Sequence, residues 1–324
     1  MQKICVNMEY LILILSLAGI VLGADFLVKG AVVVARKCRV SSFVIGAVIV
    51  GIGTSLPELV VSTVGAIGGN SEVAIGNVVG SNIFNVFAIL GLTALFFPIA
   101  VSRENMKFEI PFCIAVSVLL MLLVYNFFVG GEPRLGRWDG AALFLVFTSF
   151  MWISLRRGKS SAATVGESVE EVNKSLWFAA FSILGGLAAL IVSSNFFVDE
   201  AVAIARKLGV SDAFISITLL ACGTSLPELA ASVTAAVKKD TDMALGNIIG
   251  SNIFNATMIL GTASLITPLT TGKIGLVDYG AMILAAVLPM IFGIRGKITR
   301  FEGLLMLLCY AAYTWYIVTY VMAV

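Results

Sequence analysis

Apolar runs long enough to cross a lipid bilayer recur from one end of this sequence to the other. A membrane-spanning helix needs about 20 apolar residues. Only 12% of the residues are charged, whereas soluble domains carry about a quarter. The sequence therefore predicts an all-α polytopic membrane protein with ten transmembrane helices. The predicted spans are 8–35, 42–68, 73–97, 108–128, 138–156, 176–205, 212–237, 243–267, 276–294 and 301–322.

The second half of the sequence repeats the first at a constant offset of 170 residues. The segment Gly53–Ser62 matches Gly223–Ser232 at eight of ten positions, and Gly76–Asn85 matches Gly246–Asn255 equally well. Five predicted spans separate each motif from its copy. Because five is odd, the copy enters the membrane from the opposite side, which predicts an inverted repeat of the kind found in secondary transporters.

A polar stretch at 157–174 separates the two halves. We therefore expect a first five-helix repeat over 1–156, a linker loop over 157–174 and a second, inverted five-helix repeat over 175–324. Lysine and arginine are concentrated in the loops on the side of this linker, for example at Arg156 and Lys238. Because cytoplasmic loops are positively charged, we expect a cytoplasmic linker, both termini outside, and a location in the plasma or inner membrane.

The chain lacks the residues that several classes of function require. The chain has no histidine, and its five cysteines show no CxxC spacing, so we expect buried thiols rather than metal ligands or disulfides. No nucleophile–base pair and no cofactor motif is present, so we expect neither an enzyme nor a cofactor. A net charge of +2 without a basic arm gives no reason to expect nucleic-acid binding.

The first apolar segment runs on through Val40, so we expect an uncleaved span rather than a signal peptide.

Two glutamates lie in the middle of apolar spans, where an ionisable side chain is costly and is by default a candidate for function. Glu58 follows Pro57, and Glu228 follows Pro227. A proline inside a helix has no backbone N–H and leaves a carbonyl one turn earlier without its partner. Such carbonyls are tolerated at membrane depth only where water or an ion takes them up. The duplicated Pro-Glu therefore predicts a polar site near the midplane of the membrane.

Oxygen-bearing residues accompany both glutamates. Thr54 lies four residues before Glu58 and shares its helical face, and Ser81 and Asn85 are likewise four apart in the third span. Ca²⁺ takes six to eight oxygen ligands in irregular geometry, and two carboxylates neutralise one divalent ion. This pattern predicts a Ca²⁺ site. Its candidate residues are Glu58, Thr54, Ser55, Ser81 and Asn85 with their copies Glu228, Thr224, Ser225, Ser251 and Asn255.

Two further features of the spans predict packing contacts, and the second of them fits the ion site as well. Asp25 aligns with Asn195 rather than with another acid, so we expect it to pair with Lys29, four residues on. The duplicated Gly-x-x-x-Gly, present for example at Gly246 and Gly250, predicts close approach of two helices.

The motifs Gly53-Thr-Ser-Leu-Pro-Glu58 and Gly76-Asn-Val-Val-Gly-Ser-Asn-Ile-Phe-Asn85, each present twice, resemble the α-repeats of the Ca²⁺/cation antiporter superfamily, and its prokaryotic sodium/calcium exchangers most closely. The resemblance covers the whole ten-span layout. It implies that Glu58 and Glu228 bind Ca²⁺. The other ligands that it implies are the carbonyls of Thr54 and Thr224, the sodium-binding serines Ser55, Ser225, Ser81 and Ser251, backbone at Gly51 and Ala221, and the amides of Asn85 and Asn255.

The resemblance implies a secondary active antiporter that exchanges Ca²⁺ for Na⁺ by alternating access, and we expect it to act as a monomer in the bilayer, with its first and sixth spans as the moving pair. Some relatives, including the potassium-dependent branch, carry Asp where this chain has Asn255. The amide argues against potassium dependence.

Two alternatives to Ca²⁺/Na⁺ exchange stay open. The first is an H⁺/Ca²⁺ exchanger that uses the same glutamates, although the proton-coupled branch typically has Gly-Asn-Ala before its glutamate, where this chain has Ser-Leu-Pro. The second is a cation channel. Channel filters usually form a ring by oligomer symmetry, whereas a pseudo-twofold site between broken helices favours an occluded transporter site.

Overall fold

The computed structural model describes residues 2–127, 130–160, 175–208 and 223–321, and helices dominate all four ranges. The α-helices are α1 (Gln2–Cys38), α2 (Ser42–Ile45), α3 (Gly51–Thr54), α4 (Leu56–Ile67), α5 (Ser71–Phe84), α6 (Gly91–Phe96), α7 (Ile110–Val124), α8 (Arg137–Ser160), α9 (Leu176–Lys207), α10 (Leu226–Val237), α11 (Thr241–Phe254), α12 (Leu260–Ile266), α13 (Leu276–Gly293) and α14 (Arg300–Tyr316). Five π-helical segments continue or join them: Gly46–Val50, Asn85–Leu90, Asn105–Glu109, Asn255–Ile259 and Ile317–Val321.

Most of the predicted spans are confirmed as helices of membrane-crossing length. Eight described helices are long and apolar enough to cross a membrane, and the bent pair Ser42–Thr54 and Leu56–Ile67 makes a ninth. The predicted seventh span, 212–237, lies partly outside the described residues, and its described part is α10. The chain is thus an all-α polytopic membrane protein, and the count of ten helices stays a prediction. Most of the predicted linker, 157–174, also lies outside the described residues.

The second span is broken where the duplicated motif lies. Helix α3 ends at Thr54, Ser55 has φ −84° and ψ 11°, and α4 starts at Leu56 with its axis bent by 47°. Pro57 therefore lies in the first turn of a new helix. The backbone N–H groups of a first turn have no acceptor within the helix, so the absence of this group in proline costs no helical hydrogen bond. Ser225 has nearly the same backbone angles, φ −91° and ψ 7°, before α10. The prolines start helices rather than interrupt them.

The centre of the protein is formed by the eighth span packed against the second. A Cβ atom on Gly246 would clash with the backbone of Phe43, and one on Gly250 would clash with the backbone of Ala47. Close helix packing at these two glycines is therefore confirmed. Residues of α11 are almost entirely buried, so the backbones that carry the duplicated motifs meet in the interior of the protein.

The first and sixth spans, α1 and α9, form a second unit, an antiparallel pair. They cross where a Cβ on Gly23 would lie 2.9 Å from the carbonyl oxygen of Gly186, and one on Gly186 would lie 2.7 Å from that of Gly23. Large apolar side chains are exposed on this pair, for example Ile14 at 63% and Phe181 at 79%. Such surfaces suit contact with lipid.

Short strands tie loops of one half to loops of the other. Strand β1 (Ile99–Ala100) pairs with β4 (Lys297–Ile298), and β2 (Arg134–Leu135) pairs with β3 (Leu269–Thr270), both antiparallel. Each pair joins a loop from the first half to a loop from the second. These contacts hold the third to fifth spans against the eighth to tenth.

Asp25 forms the predicted ion pair with Lys29, at 2.6 Å between Oδ2 and Nζ. It forms a second one that sequence reasoning missed, with Lys238 Nζ 2.7 Å from Asp25 Oδ1. Lys238 follows α10, so this contact ties α1 to the core of the protein.

Candidate cation-binding site

The two glutamates of the duplicated motif are fully buried. Glu58 lies in the first turn of α4 and Glu228 in the first turn of α10, and both side chains are 0% exposed. Neither carboxylate forms an ion pair with a lysine or arginine of the described residues. The N-terminal end of a helix favours negative charge, but it does not neutralise two buried carboxylates. The arrangement leaves two buried carboxyl groups without a cationic side chain beside them, and such a pair suits a bound cation.

The serines before the prolines join the two repeats. Ser55 Oγ donates to Glu228 Oε1 at 2.7 Å, and Ser225 Oγ donates to Glu58 Oε1 at 3.0 Å. Each serine directly precedes the helix that carries the glutamate of its own repeat. Its hydroxyl, however, donates to the glutamate of the other repeat. The pair of contacts has twofold symmetry and brings the two predicted motifs to a single site.

Four acceptor oxygens at this centre have no hydrogen-bond donor among the described residues. They are Glu58 Oε2, Glu228 Oε2, Asn85 Oδ1 and Asn255 Oδ1, and all four side chains are 0% exposed. Buried polar atoms in proteins almost always have a partner. Four such oxygens at repeat-related positions form a set of neutral and acidic oxygens of the kind that binds cations.

Both asparagines of this set begin a π-helical segment, Asn85–Leu90 in the third span and Asn255–Ile259 in the eighth. π-helical turns are frequent at functional sites, where they displace side chains from the regular helical register. The segment at Asn85 packs against α10, and the segment at Asn255 packs against α4. Each free amide oxygen thus belongs to an element that contacts the glutamate helix of the other repeat.

Two asparagines that sequence reasoning did not single out support the glutamates. Asn77 Nδ2 donates to the carbonyl oxygen of Glu58 at 3.2 Å and to Ser62 Oγ at 3.0 Å. Asn247 Nδ2 makes the same two contacts in the second repeat, to Glu228 at 3.2 Å and Ser232 at 2.8 Å. Their identity at the 170-residue offset was the signal that could have revealed them.

Two further predicted residues contact each other. Ser251 Oγ donates to the Gly51 carbonyl oxygen at 3.2 Å. Thr54 Oγ1 also approaches that carbonyl at 3.3 Å and donates to Val50 O at 3.0 Å. These contacts place part of the predicted sodium set beside the break in the second span.

The other predicted positions differ in how far the structure describes them. Ser81 is buried at 3% exposed, and Thr224 is partly exposed at the second break. Ala221 lies outside the described residues.

Comparison with known proteins identifies the family. The family model for sodium/calcium exchanger proteins matches residues 8–156 and 178–319. The chain belongs to the sodium/calcium exchanger protein family. It is 34% identical over 342 residues to the sodium/calcium exchanger MaX1 of Methanosarcina acetivorans, with 95% of this chain and 98% of that protein covered.

Two other known proteins are similar to this chain over most of its length. The inner membrane protein YrbG of Escherichia coli is 34% identical over 292 residues, covering 86% of each protein. The structure of the sodium-calcium exchanger NCX_Mj soaked with 10 mM Na⁺ and zero Ca²⁺ superposes with a TM-score of 0.82 at 32% identity, covering 97% of this chain and 99% of that one. The expected family and the multi-pass membrane fold are confirmed, and the chain is a cation exchanger rather than an enzyme.

Proposed function

We propose that this exchanger transports Ca²⁺ in one direction and Na⁺ in the other, and that both ions bind at the site of Glu58 and Glu228. The observation that carries the proposal is the set of four buried oxygens without donors, two from carboxylates and two from amides. Within the described residues no group of three or more His, Cys, Asp and Glu occurs. Two carboxylates among neutral oxygens suit Ca²⁺ and Na⁺ better than transition metals.

In the Ca²⁺-bound state, the two carboxylates neutralise the ion, which removes the net charge from the interior of the membrane. The carbonyls of Thr54 and Thr224 complete the site together with Asn85 and Asn255. All of these ligands are oxygens, and the helices break beside Thr54, at Ser55, and beside Thr224, at Ser225. Discontinuous helices of this kind bind the coupling ions in secondary transporters.

In the Na⁺-bound state, the same carboxylates are shared among sodium ions. The additional ligands that we assign to sodium are Ser55, Ser225, Ser81 and Ser251 with backbone at Gly51 and Ala221. A serine hydroxyl that donates to a carboxylate still has lone pairs for a cation. Because Ca²⁺ and Na⁺ need the same glutamates, they exclude one another, and this competition couples their movements.

Alternating access requires one part of the protein to move past the site. The antiparallel α1–α9 pair suits this role, since it lacks the duplicated Pro-Glu and exposes large apolar side chains along its length. We assign the side of the basic loops to the cytoplasm and both termini to the outside, on the rule that positive loops stay inside. The transporting unit that we propose is a monomer.

The proposal is tested by ⁴⁵Ca²⁺ efflux from proteoliposomes that contain the purified protein. An inward Na⁺ gradient should drive Ca²⁺ out, whereas K⁺ or choline gradients of equal size should not. Efflux driven by a pH gradient and not by Na⁺ would replace this proposal with H⁺/Ca²⁺ exchange. Unitary currents in a planar bilayer would instead identify a channel.

A further inference from the structure

Asn82 and Asn252 lie outside the proposed ligand set, yet both are buried and bind one another's backbone across the repeats. Asn82 Nδ2 donates to the carbonyl oxygen of Asn252 at 3.1 Å, and Asn252 Nδ2 donates to that of Asn82 at 3.1 Å. A backbone carbonyl can only accept a hydrogen bond. Each of these two amides must therefore turn its nitrogen toward the opposite backbone, and its oxygen away from it.

Those two oxygens in turn orient the amides of the cation site. Asn82 Oδ1 accepts from Asn255 Nδ2 at 3.1 Å, and Asn252 Oδ1 accepts from Asn85 Nδ2 at 3.0 Å. Because an amide oxygen cannot donate, Asn85 and Asn255 must present their nitrogens to it. Their own oxygens are then the atoms that stay free, and neither has a donor in the described part of the chain.

We propose that Asn82 and Asn252 are positioning residues that decide which end of the Asn255 and Asn85 amides faces the cation. The inference rests on the proposed function, since it takes Asn85 and Asn255 as cation ligands. The two ends of an amide group have nearly the same size, so packing cannot distinguish them and only hydrogen bonds can. A half-turn would present the N–H groups, which repel a cation.

The contacts cross between repeats, and this makes the inference specific. Asn82 orients Asn255 of the second repeat, and within the described residues its side chain has no hydrogen bond to the side chain of Asn85, although Asn85 lies only three residues further along the same span. Energetic coupling should therefore join Asn82 to its distant partner in sequence rather than to its near neighbour.

A double-mutant cycle on Ca²⁺ affinity tests this pattern. Equilibrium ⁴⁵Ca²⁺ binding is measured on the purified protein for Asn82→Ala, Asn85→Ala and Asn255→Ala, and for the doubles that combine Asn82→Ala with each of the other two. We expect each single variant to weaken Ca²⁺ binding about tenfold, as loss of a contact to a charged group does. The Asn82/Asn255 double should be no more than about threefold weaker than Asn255→Ala, because the residue that Asn82 orients is already gone.

The Asn82/Asn85 double should instead lose about a hundredfold, the product of two independent effects. Asn77→Ala is the matched control, since Asn77 is on the same helix and also donates to a backbone carbonyl. Its amide bonds to Glu58 and Ser62 of its own repeat and, in the described part of the chain, has no hydrogen bond to Asn255, so we expect the effects of Asn77→Ala and Asn255→Ala to multiply.

Equal, multiplicative losses in both doubles would overturn the inference, and so would unchanged affinity in Asn82→Ala. If wild-type protein bound no Ca²⁺, the proposed function would fail first, so the two failures are distinguishable. If Asn82→Ala does not elute as folded protein, the mirror-image set answers the question. In that set, the effects of Asn252→Ala and Asn85→Ala on Ca²⁺ affinity should be coupled, whereas the effects of Asn252→Ala and Asn255→Ala should multiply.

Discussion

Replacing Glu58 with glutamine should abolish Ca²⁺ transport and, in the absence of the cation, make the protein more stable. Glutamine keeps the size of the side chain and removes one of two buried negative charges. Glu58 is 0% exposed, has no lysine or arginine partner among the described residues, and receives a side-chain hydrogen bond from Ser225 at 3.0 Å. The charge is therefore held in the interior without adequate compensation.

The size of the effect follows from these contacts. Burial of an ionised carboxylate costs several kcal/mol even after relaxation of its surroundings. A hydrogen bond to a charged group returns about 1.5–3 kcal/mol. The remainder favours the neutral side chain, so we expect the cation-free Glu58→Gln variant to gain roughly 1–3 kcal/mol in free energy of unfolding.

Ca²⁺ should reverse the order of stability of wild type and Glu58→Gln. A ligand at a hundred times its dissociation constant stabilises the folded state by about 2.7 kcal/mol. Wild type should gain this amount, and Glu58→Gln should gain none, because half of the negative charge of the site is lost. The melting temperature should therefore rise with Ca²⁺ only in wild type.

The assay is thermal unfolding in detergent, followed by the fluorescence of the four tryptophans, with and without Ca²⁺ in mildly alkaline buffer. Efflux of ⁴⁵Ca²⁺ from proteoliposomes is measured in parallel. Glu132→Gln is the control, because Glu132 is exposed in a loop and should leave both measurements unchanged. Retained Na⁺-driven efflux in Glu58→Gln, or a melting temperature below that of cation-free wild type, would refute the reasoning.

Three other changes have expected outcomes. Ser55→Ala should raise the Na⁺ concentration needed for half-maximal efflux more than it lowers Ca²⁺ affinity, since we assign Ser55 to sodium; equal effects in the flux assay would contradict this. Asn255→Asp should still transport Ca²⁺ but become sensitive to pH, because a carboxylate can take a proton and an amide cannot; flux that is independent of pH would count against it. Gly246→Leu should lower the free energy of unfolding by at least about 1–3 kcal/mol, because the backbone of the second span occupies the space of a Cβ. Gly280→Leu, where nothing lies within 4 Å, should have little effect on the melting temperature.

Local patterns in the sequence were sufficient for the membrane fold. Hydropathy reports whether a stretch can replace water with lipid, so most of the spans were predicted close to where the described helices lie. The constant offset of 170 residues predicted which residues are equivalent in the two halves. The ion pair of Asp25 with Lys29 was predictable from local spacing, because residues four apart on a helix face each other.

Contacts between the repeats were not predictable from these patterns. Spacing along one helix shows that Ser55 is near Glu58, but the hydroxyl of Ser55 binds Glu228 of the other repeat. The role of Asn82 was hidden for the same reason, because its partners lie about 170 residues away. Hydropathy and spacing are properties of one segment, whereas these bonds depend on how two segments approach.

The sequence by itself determined that the chain spans a membrane repeatedly, that it is duplicated, and that two glutamates lie where charge is costly. Only the tertiary structure decided how these residues meet: the breaks at Ser55 and Ser225 start new helices, and serines bind glutamates across the repeats. It also decided which oxygens are left without donors. The physical reason is that a hydrogen bond is directional over about 3 Å, so the free atoms of a site are known only when every partner is in position.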